Sequence, residues 1–315
     1  MSCPAASLPA VTAPARSVSA SDRPHLRRQY VKLCDRRDFD DPEVRAAIRE
    51  IVPGREPDAE LERKYWEYAM LALFMRDVGA LTEDAQVLAV GAGHEEPLFW
   101  LANRVSRVVA TDIYGEGGFA AGEAKRTMLD DPASFAPYPY RRERLEVRWM
   151  DARRLDFPEG AFDLVFSLSS IEHFGGPADI ARAAAEIGRV LKPGGHAFVV
   201  TECFARTNAL DSPLVQTAIR VLSLGLLCRS ATPRSRVVEV FSPRELEQQI
   251  VRPSGLRMMQ PLETELSPES FENVTRLHPN GRLEPSSGRH RPHILLKGHG
   301  APWTSVCLAL QKPSS

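Results

Sequence analysis

The sequence has little of what would assign it to a secreted, membrane or nucleic-acid-binding class. Its five cysteines among 315 residues are odd in number and form no CxxC pair, which argues against a disulfide framework or a structural zinc site. A formal net charge of −1 gives no overall attraction to nucleic acid or to an acidic membrane surface. No apolar run reaches the roughly 20 residues that span a bilayer. We therefore expect a soluble, cytoplasmic protein with neither nucleic acid nor membrane as a partner.

We expect no export signal at the N-terminus. Residues 1–25 are rich in alanine, serine and proline and contain no long apolar run, so they predict a disordered tail. A transit peptide stays an alternative because Arg16 is present and no acid precedes Asp22. We expect residues 26–80 to form an N-terminal helical extension. Residues 81–315 would form the main domain, with insertions at about 204–240 and 261–302.

The remaining chain alternates between helix and strand signals. Asp41-Pro42-Glu43 is typical of a helix start, with an Asp cap and a proline in the first turn, and predicts a helix to Ile51. Further helices are predicted at 58–78, 96–105, 118–129, 177–191, 211–227 and 242–254. Strands are predicted at 86–90, 107–113, 145–150, 162–168, 196–201, 256–259 and 305–310. Such alternation predicts an α/β fold with a mostly parallel sheet and helices on both faces.

A glycine turn follows the first of these strands. Gly91 and Gly93 allow a tight bend and a close approach of a ligand to the main chain. The next strand ends in Asp112, where a carboxylate can accept hydrogen bonds from both hydroxyls of a ribose. Together these features predict a nucleoside site.

A glycine turn and an acid at the end of the next strand also occur in dinucleotide-binding domains. That class is therefore an alternative. A dinucleotide fingerprint needs a third glycine where this chain has Glu96, and Glu95 precedes it. A pyrophosphate would bind the free N–H groups at this helix start, and two carboxylates there would repel it. A ribose-containing ligand without phosphate, carrying cationic sulfonium and ammonium groups, fits better. The pattern favours S-adenosylmethionine over NAD.

Two further segments end at the same edge of the predicted sheet. Asp151-Ala152 follows the third strand, where an acid and a small residue could meet an adenine, although an acid there is also a common turn former. The fourth strand delivers residues 169–173 to the crevice at the carboxyl ends of the strands, where open α/β sheets bind ligands.

The motifs VLAVGAG, ATD, MDA, FDLVFSLSSIEHF and LKPGG occur in this order between residues 87 and 195. In that order the chain resembles the class I, Rossmann-like S-adenosylmethionine-dependent methyltransferases, in particular the branch that methylates small molecules. The likeness is strong over residues 81–202 and looser over 241–312. It implies a seven-stranded sheet whose last strand is antiparallel and lies beside the fifth, with the N-terminal helices and the insertions forming a cap.

The resemblance also implies a set of cofactor-binding residues. The glycine turn would line the methionine side, Asp112 would hold the ribose, and Ile113 would pack on the adenine. Asp151 and Ala152 would meet the adenine edge, and Ser169 would lie beneath the cofactor. The complete predicted set is Val90, Gly91, Ala92, Gly93, Asp112, Ile113, Asp151, Ala152 and Ser169, with no metal ligand.

The candidates for chemistry follow the fourth strand. If the acceptor is a hydroxyl, a nearby base can take its proton, and His173 is the preferred candidate. Glu172 is expected to orient a neighbouring group. For both residues a structural role, packing or bonding the next loop, stays an alternative. Tyr114 is a further candidate for the pocket edge.

A basic segment lies in the second insertion, with Glu284 its only acid after Glu272. It could bind an anionic group on the acceptor, although a solvated loop is the commoner explanation of such a run. A metal site is not supported, because His290 and His293 have no suitably spaced third ligand. The basic residues are Arg276, His278, Arg282, Arg289, His290, Arg291, His293, Lys297 and His299.

We therefore expect methyl transfer from S-adenosylmethionine to a small molecule, at a hydroxyl of a metabolite, glycan or natural product. N- or C-methylation stays an alternative, as does a protein or RNA substrate, although near-neutral charge counts against RNA. A cofactor-binding protein without transferase activity is the alternative from another class. A homodimer is left open.

Overall fold

The computed structural model describes residues 26–57, 59, 61–205, 240–278, 282–288, 291–298 and 301–314. The helices are α1 (Pro42–Ile51), α2 (Arg63–Asp77), α3 (Glu96–Ala102), α4 (Thr127–Asp130), α5 (Pro177–Val190), α6 (Pro243–Leu246) and α7 (Arg252–Ser254), with a π-helical turn at Glu247–Val251 between the last two. Single 3₁₀ turns lie at Arg36–Asp40, Pro132–Phe135, Arg142–Arg144, Ile171–His173 and Pro268–Phe271.

Eleven strands in the described parts of the chain form one sheet. They are β1 (Lys32–Leu33), β2 (Gln86–Val90), β3 (Arg107–Asp112), β4 (Leu145–Trp149), β5 (Phe162–Leu168), β6 (Leu191–Phe204), β7 (Arg257–Met258), β8 (Val274–Leu277), β9 (Leu283–Pro285), β10 (Leu295–Lys297) and β11 (Pro302–Gln311).

The centre of the sheet has the predicted α/β arrangement. Strands β4, β3, β2, β5 and β6 lie side by side in that order and pair in parallel. The last strand, β11, pairs antiparallel with β6, and β7 pairs with β11. These seven strands reproduce the predicted order, with the antiparallel last strand beside the fifth. Helix α3 joins β2 to β3, and α5 joins β5 to β6, as crossovers between parallel strands usually do.

The additions to this core extend the sheet. Strand β1, from the N-terminal extension, pairs antiparallel with β11 and so ties the extension to the sheet. In the second insertion the described residues supply β8, β9 and β10, which continue the sheet beyond β11. The tail 1–25 and most of the first insertion, with its helix predicted at 211–227, lie outside the described residues. The proposed domain boundaries therefore stay a prediction.

The helix starts predicted at Asp41 and Ser242 are confirmed. Asp41 Oδ1 accepts a hydrogen bond of 2.8 Å from Glu43 N, and Pro42 begins α1. At α6 the Ser242 hydroxyl accepts from Glu245 N, and the Glu245 carboxylate accepts from Ser242 N, in a reciprocal capping box. These side chains satisfy N–H groups that have no partner inside the helix.

The helix predicted at 118–129 is wrong. Only Thr127–Asp130 is α-helical, and residues 119–124 form turns. Gly115 and Gly117 adopt φ angles of 81° and 73°, in the left-handed region that a helix excludes. Four glycines between 115 and 122 make a helix expensive in conformational entropy, so the segment forms a loop over the sheet edge.

Burial places the candidate site at the carboxyl ends of β2 to β5. Strands β2, β3 and β5 are almost entirely buried along their length, because helices cover both faces of a parallel sheet. These strands are covered along their faces and open toward loops at their ends. Among the described residues, no helix is both long and apolar enough to span a membrane.

Candidate active site

A cavity of about 340 Å³ opens where β2, β3, β4 and β5 end. It lies between the glycine turn, the loop after β3, the turn after β4 and the 3₁₀ turn after β5. The described residues that line it are Gly91, Gly93, Glu95, Asp112, Ile113, Glu116, Gly117, Gly118, Phe119, Glu123, Ala124, Met150, Asp151, Ala152, Arg153, Ser170, His173, Phe174 and Gly175. Six of the nine predicted cofactor residues, and one of the two predicted catalytic residues, are among them.

The glycine turn leaves no room for larger residues. Gly91 has a φ of 65°, and a Cβ atom there would lie 2.7 Å from Ser170 Cβ and 2.8 Å from Phe174 Cζ. Gly93 has a φ of 48°, and a Cβ atom there would lie 2.9 Å from the Glu123 carbonyl oxygen. Both the conformation and the close approach require glycine, so the turn brings its main chain to the cavity.

Asp112 is held in place by the main chain. Its Oδ2 accepts a hydrogen bond of 2.9 Å from Gly93 N, and its Oδ1 accepts one of 2.7 Å from Ile113 N. Burial raises the pKa of Asp112, and the two N–H donors oppose that rise. Since a carboxylate has about four acceptor positions, each oxygen keeps one for a ligand hydroxyl. The geometry fits the predicted diol contact.

Tyr114 supports the same turn from behind. Its ring is buried, and its hydroxyl donates a 2.8 Å hydrogen bond to the Gly93 carbonyl. Val90 and Ala92 are also buried, and Ala92 N donates to Thr111 O. None of these three is among the residues that line the cavity. They shape the turn from its far side, and a direct cofactor contact of Val90 or Ala92 stays a prediction.

The Asp151 carboxylate has a partner that sequence reasoning missed. Arg153 donates to it from Nε at 2.9 Å and from Nη2 at 2.6 Å, and Arg153 also lines the cavity. This hydrogen bonding lowers the pKa of Asp151. The spacing of an arginine two residues after a strand-end aspartate was the available signal. Ala152 lines the wall beside this pair, as predicted.

Ser169 was predicted to lie beneath the cofactor, but of the two serines after β5 it is Ser170 that lines the cavity. The Ser169 hydroxyl donates a 2.9 Å hydrogen bond to Glu67 Oε1 of α2, and Ser169 is not part of the cavity wall. Ser170 lines the cavity instead, and its hydroxyl donates to Gly91 O at 2.7 Å. Ser169 follows β5 with a φ of 50°, in the left-handed region.

His173 lies in the cavity wall beside an aromatic ring. The ring of Phe119 stands over it at a centroid distance of 4.7 Å. Desolvation in this wall lowers the pKa of His173, and nearby Glu123 opposes that effect. The imidazole is therefore neutral near pH 7 and able to accept a proton. Its place agrees with the predicted base role, which stays a prediction.

Glu172 points the other way, into the protein. It is 1% exposed, accepts a 2.8 Å hydrogen bond from the Thr201 hydroxyl and is not part of the cavity wall. Burial, together with the nearby carboxylate of Glu202, raises the pKa of Glu172 to about 8. Glu172 therefore lies among buried groups of β6. This position agrees with the alternative in which Glu172 has a structural role.

The cavity wall is acidic at the start of α3. Glu95 caps this helix and lines the cavity, and Glu96 follows in the first turn. Lys64 of α2 forms an ion pair with Glu95. Burial raises the pKa of Glu95 to about 7, and Lys64 opposes that rise. Glu95 and Glu96 therefore lie at the start of α3, where a bound phosphate would need the free N–H groups of the helix. The partner Lys64, distant in sequence, was missed.

The basic segment lies apart from the cavity in its described part. Glu284 binds His278 at 2.6 Å and Arg282 at 2.9 Å, and Glu62 pairs with Arg291. Arg289, His290 and His299 lie outside the described residues. In the rest of the chain, no group of three His, Cys, Asp or Glu side chains could hold a metal ion.

The fold and this cavity define a Rossmann-like domain with an open cavity at the carboxyl edge of its sheet. Residues 88–199, from β2 to β6, match the family model described as "Methyltransferase domain". This segment of the chain is a methyltransferase domain. The match agrees with the resemblance to methyltransferases that the motifs between residues 87 and 195 indicate.

The similar proteins cover the same core. The chain is 33% identical over 110 residues to the uncharacterized protein YafE of Escherichia coli (strain K12), which is 35% of this chain and 46% of YafE. The chain thus spans about half of that relative. The YcgJ protein of Bacillus subtilis is 17% identical, with a TM-score of 0.45, over 78% of this chain and 98% of YcgJ. A SAM-dependent methyltransferase of Methanosarcina mazei is 17% identical, with a TM-score of 0.43, over 75% and 96%.

Proposed function

We propose that the whole chain transfers a methyl group from S-adenosylmethionine to a hydroxyl oxygen of a small molecule, in the cytoplasm. One observation carries the proposal. The cavity combines a two-glycine turn and a diol-accepting Asp112 with carboxylates at the helix start, so it suits a cationic nucleoside without phosphate. The supporting family match covers residues 88–199, and the acceptor is our inference.

Electrostatics support the choice of ligand. Among the described residues of the wall, five carry carboxylates: Glu95, Asp112, Glu116, Glu123 and Asp151. Only two, Arg153 and His173, are basic. Arg153 pairs with Asp151 and Lys64 pairs with Glu95, so the negative charge of the wall comes mainly from Asp112, Glu116 and Glu123. A wall of this sign attracts a sulfonium and an ammonium group and repels a pyrophosphate. Asp112 would hold the ribose, Ile113 and Ala152 would flank the adenine, and Glu95 would face the positively charged end.

The chemistry requires little from the protein beyond alignment and a proton acceptor. S-adenosylmethionine supplies a methyl group on a positively charged sulfur, which an acceptor oxygen can displace in line, leaving S-adenosylhomocysteine. His173 would take the proton that the acceptor hydroxyl loses. The ring of Phe119 lies 4.7 Å from the ring of His173, between centroids, and would help to keep competing water out.

The basic segment gives less support to an anionic acceptor. The carboxylates of Glu62 and Glu284 already pair with Arg291, His278 and Arg282. Arg291, His278 and Arg282 are thus already engaged in ion pairs. Their positive charge is less available to a carboxylate or phosphate on the acceptor. We therefore favour a neutral hydroxyl compound.

Two measurements test the proposal. Calorimetry with the full chain should show binding of S-adenosylhomocysteine and none of NAD; binding of NAD alone would overturn the proposal. Labelled methyl from S-adenosylmethionine should enter a small-molecule extract and not its protein or RNA fraction. Label in a macromolecule would replace the substrate class, and cofactor binding without transfer to any fraction would indicate a protein that only binds the cofactor. Mass analysis of the labelled product distinguishes O- from N- and C-methylation.

A further inference from the structure

A buried carboxylate of α2 contacts the turn that follows β5. Glu67 is 0% exposed, and its Oε1 accepts hydrogen bonds from the hydroxyls of Ser169 at 2.9 Å and Ser305 at 2.6 Å. A carboxylate buried this deeply is costly unless it is paired and hydrogen-bonded. Glu67 lies outside the segment 88–199 that matches the family model, so this contact belongs to the N-terminal extension.

Ser169 has an unusual backbone. Its φ of 50° is the only positive value at a non-glycine residue in the part of the chain that the structure describes. Residues with a Cβ avoid this region, and they persist in it where the surrounding structure holds them. Ser169 N still donates to Val200 O of β6 at 2.9 Å. The Ser169 side chain makes its hydrogen bond to Glu67 from this left-handed conformation.

The conformation of Ser169 decides where the next residues lie. Ser170, His173 and Phe174 line the cavity immediately after it. Gly91 leaves a gap so small that an added Cβ would lie 2.7 Å from Ser170 Cβ. If Ser169 relaxed to an extended conformation, the chain direction would change and the turn could not keep this packing. The cavity wall therefore depends on one φ angle.

The same helix also reaches the opposite wall. The second oxygen of Glu67 lies 3.2 Å from Lys64 Nζ. Lys64 in turn donates to Leu168 O at 3.2 Å and pairs with Glu95 in the cavity wall. Residues of one buried helix thus contact both the end of β5 and the start of α3, which are the two sides of the candidate methionine end.

We propose that Glu67 is a positioning residue that acts through Ser169 and holds the turn 169–173 against the glycine turn. This inference rests on the proposed function, since it concerns the same cavity. Glu67 makes no contact with the ligand in this scheme. It keeps the wall in a binding-competent conformation before the ligand arrives, so its loss lowers affinity by making that conformation rarer.

The experiment compares serine variants of the full chain by calorimetric titration with S-adenosylhomocysteine. Ser169→Ala keeps the Cβ but removes the tether, and we expect the Kd to rise about fivefold to tenfold. Ser169→Gly removes the hydroxyl as well, but because glycine adopts positive φ readily, we expect a smaller rise in Kd than for Ser169→Ala. Ser305→Ala is the matched control, because it removes the other hydroxyl on the same Glu67 oxygen, and it should change the Kd less than about twofold.

The carboxylate itself is tested by Glu67→Gln and Glu67→Ala. Glutamine can still accept from Ser169, so Glu67→Gln should retain tighter binding than Glu67→Ala. If Glu67→Ala does not fold, the comparison of Ser169→Ala with Ser169→Gly decides alone. Equal Kd values for Ser169→Ala, Ser169→Gly and Ser305→Ala would overturn the positioning role. Failure of the wild type to bind S-adenosylhomocysteine would instead overturn the proposed function.

Discussion

The Asp112 carboxylate offers the sharpest test of the candidate site, through the substitution Asp112→Asn. The carboxylate uses one acceptor position on each oxygen for Gly93 N and Ile113 N. An asparagine of nearly the same shape has one oxygen, and its NH₂ group is a donor only. One backbone N–H must then face another donor, and one ribose hydroxyl must lose its acceptor.

The loss of these two acceptor positions sets the expected changes in affinity and in stability. A hydrogen bond to a charged group contributes about 1.5–3 kcal/mol, and about 1.4 kcal/mol corresponds to a tenfold change in an equilibrium constant. The loss of one charged acceptor for the ribose therefore raises the Kd for S-adenosylhomocysteine by about tenfold to a hundredfold. The donor facing a donor lowers the free energy of unfolding by roughly 1–3 kcal/mol.

Calorimetry and thermal unfolding separate these two effects, given a matched control. Asp163→Asn makes the same change at the start of β5, where Asp163 Oδ2 accepts from Gln86 N at 2.9 Å and Oδ1 pairs with Lys192 at 2.7 Å. That site is at the amino ends of the strands, opposite the cavity. Its variant should lose stability without losing affinity. An Asp112→Asn protein that binds as tightly as the wild type would refute the diol contact.

Three further predictions concern the same region. Gly91→Ala should lower both the melting temperature and the affinity for S-adenosylhomocysteine by more than Gly79→Ala, because both glycines have a φ near 66° and only Gly91 has no room for a Cβ; equal effects would mean that backbone conformation alone matters. His173→Ala should reduce turnover by about a hundredfold or more and abolish the loss of activity as pH falls through the lowered pKa of His173, whereas an unchanged pH profile would remove its role as base. Glu172 has a pKa of about 8 in the folded protein, above its ordinary 4.5, so its protonated form stabilises the fold most fully below pH 4.5 and that contribution is lost as pH rises through 8. Chemical denaturation should therefore show Glu172→Gln gaining stability relative to the wild type between pH 5 and pH 8, and parallel curves would contradict the buried neutral carboxyl.

Much of the fold was predictable because its signals are local. The alternating strands and helices, the caps at Asp41 and Ser242 and the bend at Gly91 each depend on residues a few positions apart. Capping and turn preferences act between such neighbours before any tertiary structure forms. Parallel strands that alternate with helices then have few ways to pack. The position of Asp112 at the end of β3 followed from the same reasoning.

The helix predicted at 118–129 failed where local signals competed. Phe119, Ala120, Ala121 and the charged residues after them are compatible with a helix, whereas the glycines between 115 and 122 favour turns. The outcome depends on what the loop packs against, and here Gly115 N bonds to Ala124 O and Phe119 stands over His173. A weak propensity is readily overridden by such contacts.

The side-chain orientations at the end of β5 could not be read from the chain. The motif at residues 167–173 placed Ser169, Ser170, Glu172 and His173 in one short segment, and sequence alone does not say which of them faces the crevice. A buried Glu67, more than a hundred positions earlier, bonds Ser169 and accompanies its left-handed backbone.

The types of residue at the site, and their order along the chain, are therefore a property of the sequence, because they express backbone conformation and charge within short segments. Which of them meet, and which turn inward, depends on long-range partners such as Glu67 and Lys64. Those contacts exist only once α2 has packed on the sheet, since hydrogen bonds between distant segments depend on the closed fold and not on spacing along the chain.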